Sequence, residues 1–309
     1  MKTYCFRSRQ RGVAIVLAMS VVALAAIAAT AILVTQSTLA RQSELTADHA
    51  QAQTLVRAGV DWARALLSDD RRASTVDHLG EPWALRLPAM PVDNGKLEGY
   101  IEDQQGAFNL NNLVTDGKIS LVQIAHFRRL LSILGLPAAL ADALADWEDS
   151  DSEPQPQNGA EDGYYLKLQP PYLAANRPLT DLTELALVRG FDDNVRARLR
   201  PFVTALPRVT AVNANTAPPE VLAAVIEGLE LDGARELVAQ RERTYFRGFA
   251  EFSNRLPKGL VAPTTDISLN SDFFMATMRV TIGEAQARGT ALLEREGFGW
   301  PVIVWRKLP

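Results

Sequence analysis

The chain has 309 residues, 47% hydrophobic and 22% charged, with a formal net charge of −4. That balance excludes a disordered chain, and its acidic sign gives no global electrostatic case for nucleic acid. A single cysteine, Cys5, excludes an intrachain disulfide, and the length suffices for one large domain or two medium ones.

The N-terminus sets the compartment. Lys2, Arg7, Arg9 and Arg11 are followed by an uncharged stretch from Gly12 to Ala40, and Val13–Val34 is apolar apart from Ser20 and Thr30. About 20 such residues span a bilayer core, with the basic flank kept cytoplasmic and the remainder exported. Three readings compete: a secretory signal peptide, a plain signal anchor, and a prepilin-type leader. Signal-peptide apolar regions run only about 7–15 residues. The segment Arg11-Gly12-Val13-Ala14-Ile15-Val16-Leu17 resembles the prepilin pattern. It implies cleavage by a prepilin peptidase between Gly12 and Val13, with the apolar helix retained. Cleavage there removes four of the 32 basic residues and none of the 36 acids, which leaves the exported part more acidic.

Leu45, His49, Ala52, Leu55, Val56, Gly59, Trp62, Ala63 and Leu66 recur at helical spacing, and no proline occurs before Pro82. The pattern predicts one helix from Val13 to about Leu67, about 80 Å long at 1.5 Å per residue. Residues 68–95 are rich in Asp, Gly, Pro and Asn and read as loop. Lys96–Asp103 reads as a strand, as do Phe273–Gly283, Ala287–Arg295 and Trp300–Leu308. Between them, Leu121–Leu134, Ala138–Trp147, Leu179–Val188, Asp193–Leu199, Pro218–Leu229 and Gly233–Arg243 carry helical patterns. The fold class is therefore α+β: a long N-terminal transmembrane helix and an antiparallel sheet interrupted by a large α-helical insertion. Two Asn-rich turns, 108–113 and 212–217, each precede a helical pair and read as helix caps.

The acidic stretch 146–165 is the best site for chemistry. It runs Asp146-Trp147-Glu148-Asp149-Ser150-Asp151-Ser152-Glu153, then a Pro/Gln/Asn/Gly loop, then Glu161-Asp162-Gly163-Tyr164-Tyr165. Several hard carboxylate oxygens in a short loop suit calcium, which takes six to eight oxygen ligands. Pro154 and Ala160 break the EF-hand pattern. From composition alone, a solvated acidic loop remains the competing reading.

Four longer motifs occur in series. They are Gly99-Tyr100-Ile101-Glu102-Asp103 with Phe108-Asn109-Leu110-Asn111-Asn112-Leu113; Ala145-Asp146-Trp147 through Tyr164-Tyr165; Ala174-Ala175-Asn176-Arg177-Pro178-Leu179; and Val212-Asn213-Ala214-Asn215-Thr216-Ala217. Together with the leader, they resemble the K-type minor pseudopilins of type II secretion systems. Leu17 stands where most pilin-like subunits carry glutamate, and the K type resembles this chain in lacking it. The resemblance implies a non-enzymatic tip subunit that initiates or caps a pseudopilus. It implies a leader at 1–12, a transmembrane helix at 13–34, a pilin-like head from 68–105 and 259–309, and an insertion at 106–258. It implies partnership with I- and J-type minor pseudopilins and the major pseudopilin, and residence in a bacterial inner membrane with the head periplasmic. It also implies structural Ca2+ on Asp149, Asp151, Glu153, Glu161 and Asp162, with Asp146 alongside.

Residues 213–249 also resemble the helix-hairpin-helix of DNA-uptake proteins. The hairpin Glu227-Gly228-Leu229-Glu230-Leu231-Asp232-Gly233 carries three carboxylates that would repel phosphate, so no nucleic-acid partner is expected. Nucleophile-elbow, phosphate-loop and zinc-protease motifs are missing, and His49, His78 and His126 are scattered. Two rivals stay open: a minor pilin of a type IV pilus or DNA-uptake system, and a membrane-anchored periplasmic hydrolase using two of the acids.

Overall fold

The computed structural model describes residues 11–308. Most of the expected leader, residues 1–10, lies outside the described residues, as does Cys5.

Helix α1 (Arg11–Ala73) is continuous for 63 residues, about 95 Å at 1.5 Å per residue. It ends six residues beyond the sequence expectation, with Arg71 and Arg72 in a last turn whose carbonyls favour cations. Its first part meets no other element: Val13, Ile15, Leu17, Val22, Ile27 and Leu33 are all exposed. This single helix is long and apolar enough to cross a bilayer. Its last part buries the stripe Ala52, Val56, Val60, Ala63 and Leu67. Leu45 and Trp62, expected on that stripe, stay exposed at 37% and 44%.

After a 3-10 turn at Pro82–Ala84, strands β1 (Leu87–Val92) and β2 (Gly95–Asp103) form a hairpin. β1 falls where Pro88 and Pro91 predict a loop. It is an edge strand, where a missing N–H is tolerated. The chain then leaves the sheet for the insertion. Three pairs of two-residue strands lie there: β3 (Phe108–Asn109) with β6 (Val203–Thr204), β4 (Val114–Thr115) with β5 (Lys118–Ile119), and β7 (Val212–Asn213) with β8 (Ile267–Ser268). The helices are α2 (Leu121–Ile133), α3 (Leu140–Glu148), α4 (Asp162–Tyr165), α5 (Asp193–Leu199), α6 (Pro219–Val225), α7 (Leu231–Arg243) and α8 (Phe249–Arg255). The expected helix over Leu179–Val188 is a 3-10 helix, Leu182–Leu187. β9 (Phe273–Ile282), β10 (Ala285–Glu294) and β11 (Val302–Lys307) complete an antiparallel sheet of order β1-β2-β9-β10-β11.

α1 packs across β9 and β10. Gly289 permits the approach, since a Cβ there would meet Val56 Cγ1 at 2.4 Å. The insertion has its own core, which includes Leu110, Phe127, Leu144, Leu222 and Phe252. Ala262 and Ile267 belong to that core too, so the insertion runs past residue 258 to the start of β9.

The sheet has a near end and a far end relative to the anchor. The β9–β10 turn lies beside the early part of α1, where Arg41 pairs with Glu284 at 3.0 Å. At the other end, Asp103 of β2 faces Phe274 of β9 in the register, and between these neighbours the insertion departs and returns. Arg295 there ties β10 to Asp70 at the end of α1. The insertion therefore sits on the end of the head farthest from the apolar segment.

The Asn-rich turns do more than cap helices. Asn109 does cap, accepting from Asn111 N at 3.2 Å. Asn111 both donates to Leu179 O at 3.0 Å and accepts from Leu179 N at 2.8 Å. Asn112 does the same with Thr210, at 2.8 and 3.1 Å, and Asn215 with Phe246, at 3.0 and 2.8 Å. Each amide stands in for a strand neighbour and holds a distant loop whose backbone would otherwise be buried unpaired.

Candidate metal centre

Every residue of α3 is buried, which places its acids inside the fold. Asp142 is neutralised by Arg128 and accepts from Asn158 Nδ2 at 3.1 Å. Asp146, fully buried, accepts from Gln155 N at 3.0 Å and Ala160 N at 2.8 Å. Those bonds fold the 149–161 loop back over the end of α3. Gly159 is required at the closure: a Cβ would lie 2.2 Å from Asp146 Oδ2 and 2.3 Å from Gln155 N.

The closure gathers Asp146, Asp149 and Glu161, with one oxygen from each lying within 4.8 Å of the others. All three residues are buried, and none is in an ion pair with a basic residue among the described residues. Asp149 Oδ1 and both Glu161 carboxylate oxygens are buried without a hydrogen-bond donor. Desolvation, then the neighbouring carboxylates, raises Asp149 to about 6 and Glu161 to about 7. Asp146 is raised for the same leading reason. Buried, converging, unpaired carboxylate oxygens are what a hard cation requires, and the donor set fits Ca2+.

The other expected ligands are placed differently. Asp151 accepts from Glu153 N at 2.9 Å and lies close enough to raise both Asp149 and Glu161. Glu153 is exposed. Asp162 accepts from Ala174 N at 2.9 Å, which ties down the following loop. Glu148 is an acid that sequence reasoning misses. It is 2% exposed, both of its oxygens lack donors, and burial raises its pKa well above the ordinary value. Its helical position beside a tryptophan gives no signal of this, because burial is a tertiary property. Trp147 packs edge-on against Tyr165 at 5.0 Å.

The hairpin between α6 and α7 exposes Glu227, Glu230 and Asp232. His78 stacks on Tyr245 at 3.7 Å, and buried His126 lies on α2.

A long helix, apolar enough in its first part to cross a membrane and packed in its last part on an antiparallel sheet with a helical domain inserted between two strands, defines a pilin-like subunit. Residues 106–208 and 212–270 match two family models described as type II secretion system (T2SS), protein K. The type II secretion system protein K of Pseudomonas aeruginosa is 35% identical, over 94% of this chain and 90% of that one. That of Klebsiella pneumoniae is 33% identical, over 96% and 95%. The fold matches a chain in the crystal structure of the GspK-GspI-GspJ complex from enterotoxigenic Escherichia coli, with TM-score 0.70 and 24% identity, covering 87% of this chain and 99% of that one. The chain belongs to the type II secretion system protein K family and is a minor pseudopilin of that system.

Proposed function

We propose that this minor pseudopilin occupies the tip of the pseudopilus and seeds or caps its assembly. In that role it joins I- and J-type minor pseudopilins above the major pseudopilin, and performs no bond chemistry. The observation that carries this reading is the insertion on the membrane-distal end of the head, where its bulk obstructs another subunit stacking above. The similar solved chain was crystallised in a GspK-GspI-GspJ complex, which supports the choice of partners. The apolar part of α1 anchors the subunit in the inner membrane with its head in the periplasm, after a prepilin peptidase has cut between Gly12 and Val13. Calcium bound by Asp149 and Glu161, with Asp146 orienting the loop and Asp151 nearby, orders residues 149–161. When bound, the cation supplies structural charge neutralisation alone.

The test is co-expression of the tagged chain with I- and J-type subunits, with and without a prepilin peptidase. The expected product is a stable ternary complex in which this chain begins at Val13 only when the peptidase is present. An uncut chain, or one that purifies alone under conditions where I and J associate, overturns the reading.

A further inference from the structure

A groove of about 600 Å3 separates the outer face of the sheet from the insertion. Its size lies within the range of about 300–1,000 Å3 common for ligand sites. Half-buried Met275 and Trp305 provide an apolar floor. Two cations along it are already matched by acids, Arg196 by Asp193 and Lys307 by Asp181. Arg200 and Arg288 also line the groove, are exposed, and have no acidic partner among the described residues. Glu102 is the remaining carboxylate on its walls. The groove is thus locally cationic in a protein whose net charge is −4.

We propose that this groove binds an acidic, extended segment of a protein partner, with carboxylates on Arg200 and Arg288 and an apolar side chain on Met275 and Trp305. Guanidinium groups favour carboxylates because two parallel N–H donors match two oxygens. Met and Trp beside Arg is a composition enriched at protein interfaces. The surface is separate from the metal loop and does not depend on the tip assignment.

The experiment uses the full-length chain in detergent micelles. The probe is a fluorescein-labelled peptide of glutamate and serine with one central leucine, read by fluorescence anisotropy. Its lysine-for-glutamate counterpart is the comparison. The acidic peptide is expected to bind and the basic one not. The double reversal Arg200→Glu with Arg288→Glu is expected to weaken the acidic peptide at least about tenfold, as loss of charge-assisted hydrogen bonds predicts, and to gain binding of the basic peptide. Equal binding of both peptides by the native chain overturns the proposal, as does an unchanged acidic affinity in the double variant. If the reversal melts early, Arg200→Gln with Arg288→Gln answers the same question without introducing charge.

Discussion

Arg295 closes β10 with none of its side chain exposed. It donates to Asp77 at 2.5 and 2.6 Å, to Asp70 at 2.9 Å and to Ser271 O at 2.8 Å, and lies 4.7 Å over the Phe274 ring. Asp70, Asp77 and Glu81 bring oxygens within 4.8 Å of one another; Asp70 and Asp77 share the guanidinium, while Glu81 accepts from His78 N at 3.0 Å and Trp83 Nε1 at 2.7 Å. Burial, then Glu81 and Asp77, outweighs Arg295 and raises Asp70 from 3.8 to about 7. A folded pKa above the unfolded one means the folded state holds the extra proton, so stability falls as pH rises from about 4 to about 7 and levels off above. Asp70→Asn, which is neutral throughout, should flatten that slope in urea midpoints taken from pH 4.5 to 8 with calcium saturating. An unchanged slope would assign the proton elsewhere. Arg295→Met strands the carboxylates and should lose about 3–5 kcal/mol at neutral pH. Asn111→Ala leaves the Leu179 backbone and Leu206 O unpaired. A loss of about 2–4 kcal/mol in chemical denaturation is expected.

Among the elements, long periodic ones are legible in the sequence. The strands from Phe273 onward lie within about two residues of their sequence-based bounds, because a period of 2 sustained over many residues resists chance. β1 is not legible, since Pro88 and Pro91 signal a loop unless the strand is known to be an edge. Short α8 carries too few residues for a period. The acidic stretch is legible as a site, but its membership is not. Composition selects exposed Glu153 as readily as buried Glu161, and it cannot see that α3 is enclosed on every side. Asp146 proves central because its oxygens hold the loop's amides. Gly159→Ala forces a Cβ into that contact. It should weaken calcium at least about tenfold in a titration, since over-packing of this kind costs typically 1–3 kcal/mol, while the sheet's melting remains unchanged.

In the whole molecule, two large cores share one chain, with a small cluster of Leu206, Phe273 and Leu292 between them, and the acidic loop proposed to hold calcium packs with the insertion core. Chelation should therefore expose residues 149–161 to protease while the sheet and α1 stay intact. Limited proteolysis with and without chelator, read by mass, checks this, and simultaneous loss of both halves would refute the separation. The neighbouring positions of Asp103 and Phe274 carry a wider consequence. Antiparallel partners lie about 5 Å apart, so residues 104–272 are a detour hung on what is otherwise a plain hairpin. Nothing in the ladder from β2 to β9 needs that detour for its register. In engineering terms the insertion is a cassette with both terminals on one socket. A tight turn in its place would keep that register, yet it would strip Thr216 and Ser271 from Asp103 and uncover Phe273 and Leu292, which pack on Leu206, so the socket is shaped to this cassette.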